Sequence, residues 1–216
     1  MDHALQRYPD RERVERALLD ALLDEVMVAT VSIVADGEPV AVPYLFARDG
    51  DRLLIHGSTG AGTLRRIASG TPVVISVMSL DGIVVAESTF NSSANYRSAT
   101  LRGTMNLVTG ADKKAAVGLL SDRILPGRNA ETRPLSGKEY AATMVLALDI
   151  APGQWIYKER TGGVGDPEEG VPAPGVWAGV IPLRLMAGEP VRESWSDAEL
   201  PDSVRARVAE QGGPAT

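Results

Sequence analysis

Short apolar runs separated by tight-turn residues constrain the fold of this chain more than any other feature of its sequence. Residues 27–35 and 40–47 are rich in β-branched and apolar side chains, and Asp36-Gly37 stands between them. An Asp-Gly pair between two such runs is a strong signal for a β-hairpin. A second pair, Asp49-Gly50, leads into a third run at residues 52–56. The sequence therefore predicts three consecutive antiparallel strands joined by short turns.

Strand-like runs continue along the chain, with helical patterns before or between them. The further predicted strands are residues 73–78, 83–86, 96–108, 141–150, 155–160 and 176–183, with Asp81-Gly82 as a turn after the first. Apolar residues recur at helical spacing in residues 11–26, 63–69 and 111–124. The apolar face of the first helix is assigned to Val14, Ala17, Leu18, Ala21, Leu22 and Val26. We expect a mainly β fold with peripheral helices, in which about six or seven antiparallel strands form a closed or partly closed barrel.

The length of 216 residues suits a single domain. We expect a mobile N-terminus over residues 1–10, one domain over residues 11–200, and a polar C-terminal tail over residues 201–216 that frays. Glycine and proline are frequent in residues 161–176. This stretch is either an ordered lid or a flexible loop, and the sequence leaves the choice open.

Composition excludes several functional classes. The chain has no cysteine, which rules out disulfides, thiol nucleophiles and thiolate metal sites. Its only histidines are His3 and His56, so no metal site is predicted. The net charge of -6 argues against a broad nucleic-acid-binding surface. No signal-peptide pattern or long apolar segment is present, and we expect a cytoplasmic protein with neither nucleic acid nor membrane as partner.

A glycine-rich turn over residues 57–62 follows the third strand and leads into a short helix. Free N–H groups at such a position bind anions, most often phosphate. Thr63 stands where a nucleotide-binding P-loop needs lysine, so hydrolysis of nucleoside triphosphates is disfavoured. The hydroxyls of Ser58 and Thr63 and the guanidinium of Arg65 are candidate phosphate contacts. The alternative is a solvated turn with no ligand.

Other candidate residues stand on the predicted strands. His56 ends the third strand directly before the glycine-rich turn, where it is either a ligand contact or a hydrogen-bonded structural residue. Strand alternation places Tyr96 and Ser98 on one face and Arg97 on the other. Arg97 clamps an anion or forms a salt bridge. Alternation also places Lys158 and Arg160 on one face, as anion contacts or as solvated edge charges.

Six segments, taken in chain order, resemble the pyridoxamine 5′-phosphate oxidase-like flavin-binding split-barrel superfamily, in particular its flavin-nucleotide-binding or nitroimidazole-resistance-like branch. They are Val42-Pro43-Tyr44-Leu45, Leu54-Ile55-His56-Gly57-Ser58, Asn95-Tyr96-Arg97-Ser98, Leu125-Pro126-Gly127-Arg128, Lys158-Glu159-Arg160-Thr161-Gly162 and Trp177-Ala178-Gly179. The resemblance implies an antiparallel split β-barrel that forms a homodimer, with flavin mononucleotide (FMN) at the dimer interface. It further implies an FMN-dependent oxidoreductase acting on a small conjugated or nitrogen-containing substrate.

The same resemblance implies roles for individual residues. Those expected to contact FMN are Val42, Pro43 and Tyr44 along the flavin ring, His56, Gly57, Ser58, Thr63 and Arg65 around the phosphate, Tyr96, Arg97 and Ser98 from a neighbouring strand, and Lys158 and Arg160 from a late strand of the partner subunit. His56 and Tyr96 are the candidate proton donors. Relatives carry basic residues near Gly62 and Thr63, and this chain does not. Haem bound through His56, a deazaflavin, or a barrel without a cofactor are therefore the alternatives to FMN.

Overall fold

A computed structural model of the chain describes residues 8–165 and 175–212. Ten strands form one antiparallel sheet. They are β1 (Glu12–Arg13), β2 (Val28–Ala35), β3 (Glu38–Asp49), β4 (Arg52–Ser58), β5 (Val73–Val85), β6 (Ser93–Gly103), β7 (Asn106–Leu107), β8 (Thr143–Asp149), β9 (Trp155–Arg160) and β10 (Gly179–Pro182). The order across the sheet is β1-β9-β6-β5-β2-β3-β4-β8-β7, and β10 pairs with β5. The expected mainly β architecture is confirmed. The predicted runs 73–78 and 83–86 form the single strand β5, the predicted run 96–108 divides into β6 and β7, and only the two-residue β1 falls on no predicted strand.

Six α-helices surround the sheet in the described part of the chain. They are α1 (Arg16–Glu25), α2 (Gly62–Ala68), α3 (Gly110–Ile124), α4 (Arg128–Glu131), α5 (Gly137–Ala142) and α6 (Asp202–Glu210), and a 3-10 helix covers Pro9–Arg11. None of the described helices is long and apolar enough to cross a membrane. Residues 1–7 of the expected N-terminus and residues 166–174 of the glycine-rich and proline-rich stretch lie outside the described residues.

The two hairpins predicted within residues 27–56 are confirmed. In the β2–β3 pair, Ala35 is opposite Glu38, and the connecting residues Asp36 and Gly37 have φ angles of 54° and 85°. Two successive positive φ angles are typical of the type I′ turn, whose twist matches that of the flanking strands. Gly50, with φ 58°, lies in the turn from β3 to β4.

The main core fills the inside of the curled sheet, and α1 packs against it through Leu19, Leu22 and Leu23. The expected helix was longer, and its predicted apolar face is only partly buried. Leu18, Leu22 and Val26 pack on the core as predicted, whereas Ala17 and Ala21 are exposed. The helix begins at Arg16, and Val14 is 79% exposed. Two overlapping apolar faces compete in this segment, and turning the larger leucine side chains inward removes more apolar area from water than turning the alanines inward.

A second apolar cluster covers the opposite face of β4 and β8. Ala116 and Leu120 of α3 pack there with Leu54 and Val145. Strand β4 is therefore covered on both faces, by the main core on one side and by α3 on the other. This arrangement explains why Leu53, Leu54 and Ile55 are all fully buried.

Two other expectations differ from the structure. Asp81-Gly82 is not a turn between strands, because β5 runs through it with a bulge between Leu80 and Gly82. Strand β10 passes close to Gly82, so that an added Cβ there would lie 3.1 Å from the Ile181 carbonyl oxygen. The tail expected to fray after residue 201 forms α6, which is held because Ser203 donates hydrogen bonds from its backbone N–H and its hydroxyl to Glu131.

Candidate functional site

Four polar side chains that were expected to contact a ligand lie together on the outer face of the sheet, the face turned away from the main core. In the β6–β9 pair Tyr96 is opposite Arg160, and Ser98 is opposite Lys158. Residues directly opposite each other in an antiparallel pair point to the same face. All four residues are half-buried. The alternation predicted within each of these strands is confirmed.

Strand β3 offers backbone rather than side chains to this region. Val42 and Tyr44 are opposite the buried Val31 and Ala29 and point inward, whereas Pro43 points outward. Burial raises the pKa of Tyr44 above its usual value. Pairing between β3 and β4 is confined to the end of β3, from Phe46 onward. The β4-facing backbone edge of residues 40–44 therefore has no strand partner in the described part of the chain.

His56 lies on the face of β4 that α3 covers. It is opposite Val145, a member of the cluster under α3, and it follows directly after the last β3–β4 pair. The ring is half-buried, and its Nδ1 is fully buried without a hydrogen-bond partner among the described residues. Burial lowers the pKa of His56 below 6.5. The imidazole is thus neutral at pH 7, and one of its nitrogens lacks the hydrogen bond that a buried polar atom normally has.

The turn after β4 uses much of its own hydrogen-bonding capacity. Ser58 accepts hydrogen bonds from the N–H of Gly60 at its Oγ, 3.1 Å away, and from the N–H of Ala61 at its carbonyl oxygen, 3.0 Å away. No side chain caps the N-terminus of α2, which leaves the first N–H groups of that helix without a side-chain acceptor. Thr63 is half-buried at this end, and Arg65 is exposed one turn along.

Gly57 has a packing role in the same turn. A Cβ at this position would lie 2.5 Å from Cδ1 of Leu64, which is fully buried. The close approach of β4 to α2 therefore requires glycine at residue 57. This observation gives a structural reason for one of the glycines expected to surround a phosphate.

Arg97 is fully engaged within the protein. Its guanidinium forms salt bridges with Glu25 at 2.6 Å and with Asp81 at 2.7 Å, and it also contacts the hydroxyl of Ser79. The guanidinium and the Ser79 hydroxyl hold the pKa of Asp81 below its usual value. These contacts connect α1, the bulge of β5 and β6. The sequence left open whether Arg97 clamps an anion or forms a salt bridge, and these contacts are salt bridges.

The bulky side chain at the start of β9 packs towards the core. Trp155 is opposite the buried Leu101 and packs against the main core. The indole consequently occupies no space on the outer face.

Arg160, one of the side chains on the outer face, donates a hydrogen bond to the side-chain oxygen of Asn95.

A cleft of about 910 Å³, which no sequence pattern predicts, lies between the sheet and the C-terminal segment. Its floor includes Val28, Met78 and Leu80, and α6 and the end of α3 form its sides. Arg123 and Arg207 come together here from helices that are far apart in sequence. No local pattern predicts this meeting, because the tail that carries Arg207 shows only polar composition.

A smaller pocket of about 300 Å³ lies over β8, near the face that carries His56. Its lining includes Thr59, Val108, Thr143 and Val145, with Lys113 at the side. Lys113 donates to the carbonyl oxygen of Tyr140 at 2.7 Å and also lies over the ring of that residue. In the described part of the chain no three histidine, aspartate or glutamate residues cluster in a way that could hold a metal ion.

Comparison with known proteins places this geometry in a family. The model of the family described as pyridoxamine 5′-phosphate oxidase matches residues 15–154. The FAD and haem binding protein from Mycobacterium smegmatis is 46% identical, with a TM-score of 0.86, over 91% of this chain and 96% of that one. The flavocytochrome Anf3 from Azotobacter vinelandii is 32% identical, with a TM-score of 0.86, over 94% of this chain and 95% of that one.

A more distant likeness shows the fold alone. The 5-nitroimidazole antibiotic resistance protein from Bacteroides thetaiotaomicron is 17% identical, with a TM-score of 0.56, over 68% of this chain and 86% of that one. None of the curated proteins matches the sequence. The family match, the two full-length likenesses and the antiparallel sheet agree, and the chain belongs to the pyridoxamine 5′-phosphate oxidase family of split-barrel proteins.

Proposed function

We propose that this chain is a flavin- and haem-binding redox protein, with FAD rather than FMN as its flavin and His56 as the ligand of the haem iron. The two relatives that support the proposal are named for FAD and haem and for a flavocytochrome, and each matches along more than nine-tenths of this chain. The observation that carries the haem assignment is the buried Nδ1 of His56, which has no hydrogen-bond partner among the described residues.

His56 has the properties of a haem ligand. An imidazole binds iron in its neutral form, and burial holds the pKa of His56 low enough to keep it neutral at pH 7. A proximal histidine holds the haem iron in globins and peroxidases. The ring is one residue beyond the β3–β4 pairing, beside the apolar cluster under α3, where a large apolar group would be shielded from water.

The outer face of the sheet has features that suit a flavin. The unpaired backbone edge of residues 40–44 offers N–H and C=O groups to the polar edge of a flavin ring. Tyr96, Lys158 and Arg160 present polar side chains on the outer face. The uncapped start of α2 and the exposed Arg65 would hold a phosphate. When bound, flavin and haem supply electron-transfer chemistry, and the protein supplies position and shielding from water.

The reaction proposed is oxidation or reduction of a small conjugated or nitrogen-containing molecule, with the cytoplasm as the proposed compartment. If His56 binds iron, it is not available as a proton donor. Tyr96, on the outer face, then remains as the candidate proton donor of the two that the sequence indicated.

We also propose that the protein is a homodimer. The outer face of β2 and β5 exposes large apolar side chains outside any cleft lining, including Val34 and Val74. Residues 183–200 form no helix or strand and expose Val191 and Trp195. A second copy packed on this face would cover these exposed apolar side chains and the sheet edges.

The absorption spectrum of the purified protein tests the cofactor proposal. We expect a flavin band together with a Soret band, and release of FAD rather than FMN on denaturation. His56→Ala should remove or shift the Soret band and keep the flavin band, whereas Tyr96→Phe should keep both. A flavin band alone would support the flavin oxidoreductase without haem. A protein that stays colourless after addition of flavin and haem would support the cofactor-free alternative and overturn the proposal.

A further inference from the structure

The cleft between the sheet and α6 combines an apolar floor with cationic walls. Val28, Met78 and Leu80 expose their side chains on its floor, and Met186 does so on its side. Four arginines reach it, each from a separate part of the chain: Arg97, Arg123, Arg184 and Arg207. A surface of this kind suits a ligand with an apolar body and one acidic group, since each part of the ligand would meet a matching part of the cleft.

Every carboxylate in the cleft lining already has a cationic partner. Asp24 is bound by Arg48, which lies outside the cleft. Arg97 binds both Glu25 and Asp81. The fourth carboxylate, Glu210, is bound by Arg207 at 3.0 Å. The carboxylates are therefore satisfied, and the electrostatics of the cleft depend on the remaining guanidinium groups.

Arg123 has no salt bridge among the described residues. Its Nη2 donates to the carbonyl oxygen of Val26 at 3.0 Å, and its Nε is buried without a hydrogen-bond partner. Desolvation and the positive charge of Arg207 both lower the pKa of Arg123. A half-buried guanidinium that lies beside another and has no carboxylate partner is electrostatically unfavourable. A bound anion would supply the missing negative charge and hydrogen-bond acceptors.

We infer that this cleft is a binding site for an amphipathic anion, a molecule with an apolar body and a carboxylate, sulfonate or phosphate group that binds at Arg123 beside Arg207. The inference goes beyond the proposed function, because it involves neither His56 nor the start of α2. It requires no chemical step.

Two fluorescent probes that differ in charge test this site on the protein as purified. 8-Anilinonaphthalene-1-sulfonate carries a sulfonate, and N-phenyl-1-naphthylamine has a closely similar apolar body without it. We expect the sulfonate probe to bind about tenfold or more tightly than the neutral probe. Arg123→Met should remove this preference and leave the affinity for the neutral probe unchanged. Arg133→Met, at an exposed arginine outside the cleft and outside the proposed flavin site, is the matched control and should retain the preference.

Arg207→Gln is a second variant in case Arg123→Met lowers the melting temperature too far for titration. It leaves the buried Arg123 in place and should weaken sulfonate binding several-fold. Displacement of the sulfonate probe by laurate or by dodecyl phosphate then distinguishes a carboxylate from a phosphate as the natural acidic group. Equal affinity for the two probes in the unmodified protein, or an unchanged preference in the variants, would overturn the inference. The absorption spectrum, recorded on the same samples, reports on the cofactors independently.

Discussion

The guanidinium of Arg97 binds the carboxylate of Glu25 through two hydrogen bonds, from Nη1 at 2.6 Å and from Nη2 at 2.8 Å. The remaining donors of the same group bind Asp81 at 2.9 and 2.7 Å. The Arg97 side chain of β6 thus pairs with a carboxylate at the C-terminal end of α1 and with another in the bulge of β5. Bidentate pairs of this kind are stronger than single surface contacts because their geometry is fixed.

Replacing Arg97 with methionine should lower the free energy of unfolding by about 2 kcal/mol at pH 7, since the partly buried Asp81 would lose its partner. The lowered pKa of Asp81 means that its contribution to stability exists above the unfolded pKa and is lost as the pH falls through the folded pKa. The difference between the proteins should therefore shrink towards acidic pH in urea unfolding. Arg133→Met, which removes an exposed pair with Glu139, should leave the urea midpoint unchanged.

Buried His56 should make stability fall on mild acidification. Its folded pKa lies below 6.5, so the unfolded chain binds more protons between the two values and stability is lost as the pH falls from about 7. His56→Leu removes this titration. Urea unfolding of the cofactor-free protein from pH 7.5 to 5.5 should show a smaller loss of stability for the variant. Parallel curves for the two proteins would contradict the lowered pKa.

Gly57→Ala should destabilise the protein by about 1–3 kcal/mol, because its Cβ would overlap the buried Leu64 side chain. Gly62→Ala is the matched control. Nothing lies within 4 Å of a Cβ at that position, and alanine at the start of α2 should leave stability equal or slightly higher. Adding Leu64→Val to Gly57→Ala should recover part of the loss, and thermal unfolding of the variants measures each effect. If the two glycine variants are equally stable, the close approach of β4 and α2 is not what requires glycine.

The dimer proposal predicts a mass in light scattering of twice the chain mass. Val74 is 45% exposed on the outer face of β5, and Val74→Glu would place a charge inside the proposed interface. We expect this variant to be monomeric. Leu135→Glu changes a residue that is also exposed but lies between α4 and α5, and it should remain dimeric. A monomeric unmodified protein would contradict the proposal.

Local signals in the sequence account for most of the strands and for the positions of three helices. Asp36-Gly37 specifies its hairpin because few residues other than glycine, asparagine and aspartate adopt two positive φ angles. The same dipeptide type at Asp81-Gly82 is misleading, because pairing with β6 and β10 carries β5 through it. Tertiary pairing overrides local turn preference there.

The candidate site was only partly readable from the sequence. Alternation correctly placed Tyr96 and Ser98 on one face, because that property is local. It gave no information on the partners of Arg97, which come from α1 and β5, or on the cleft that contains Arg123. These contacts join residues that are 72, 16 and 97 positions apart, and only the folded chain brings them together.

The pairing of β1 with β9, in which Glu12 is opposite Lys158, has a consequence for synthesis of the protein. Strand β9 separates β1 from the edge of β6, so an emerging chain that ends before residue 155 leaves β6 as an open edge. Unpaired edges of this kind recruit strands from other chains. On the ribosome, β6 therefore presents an edge that can recruit other chains until β9 has been released.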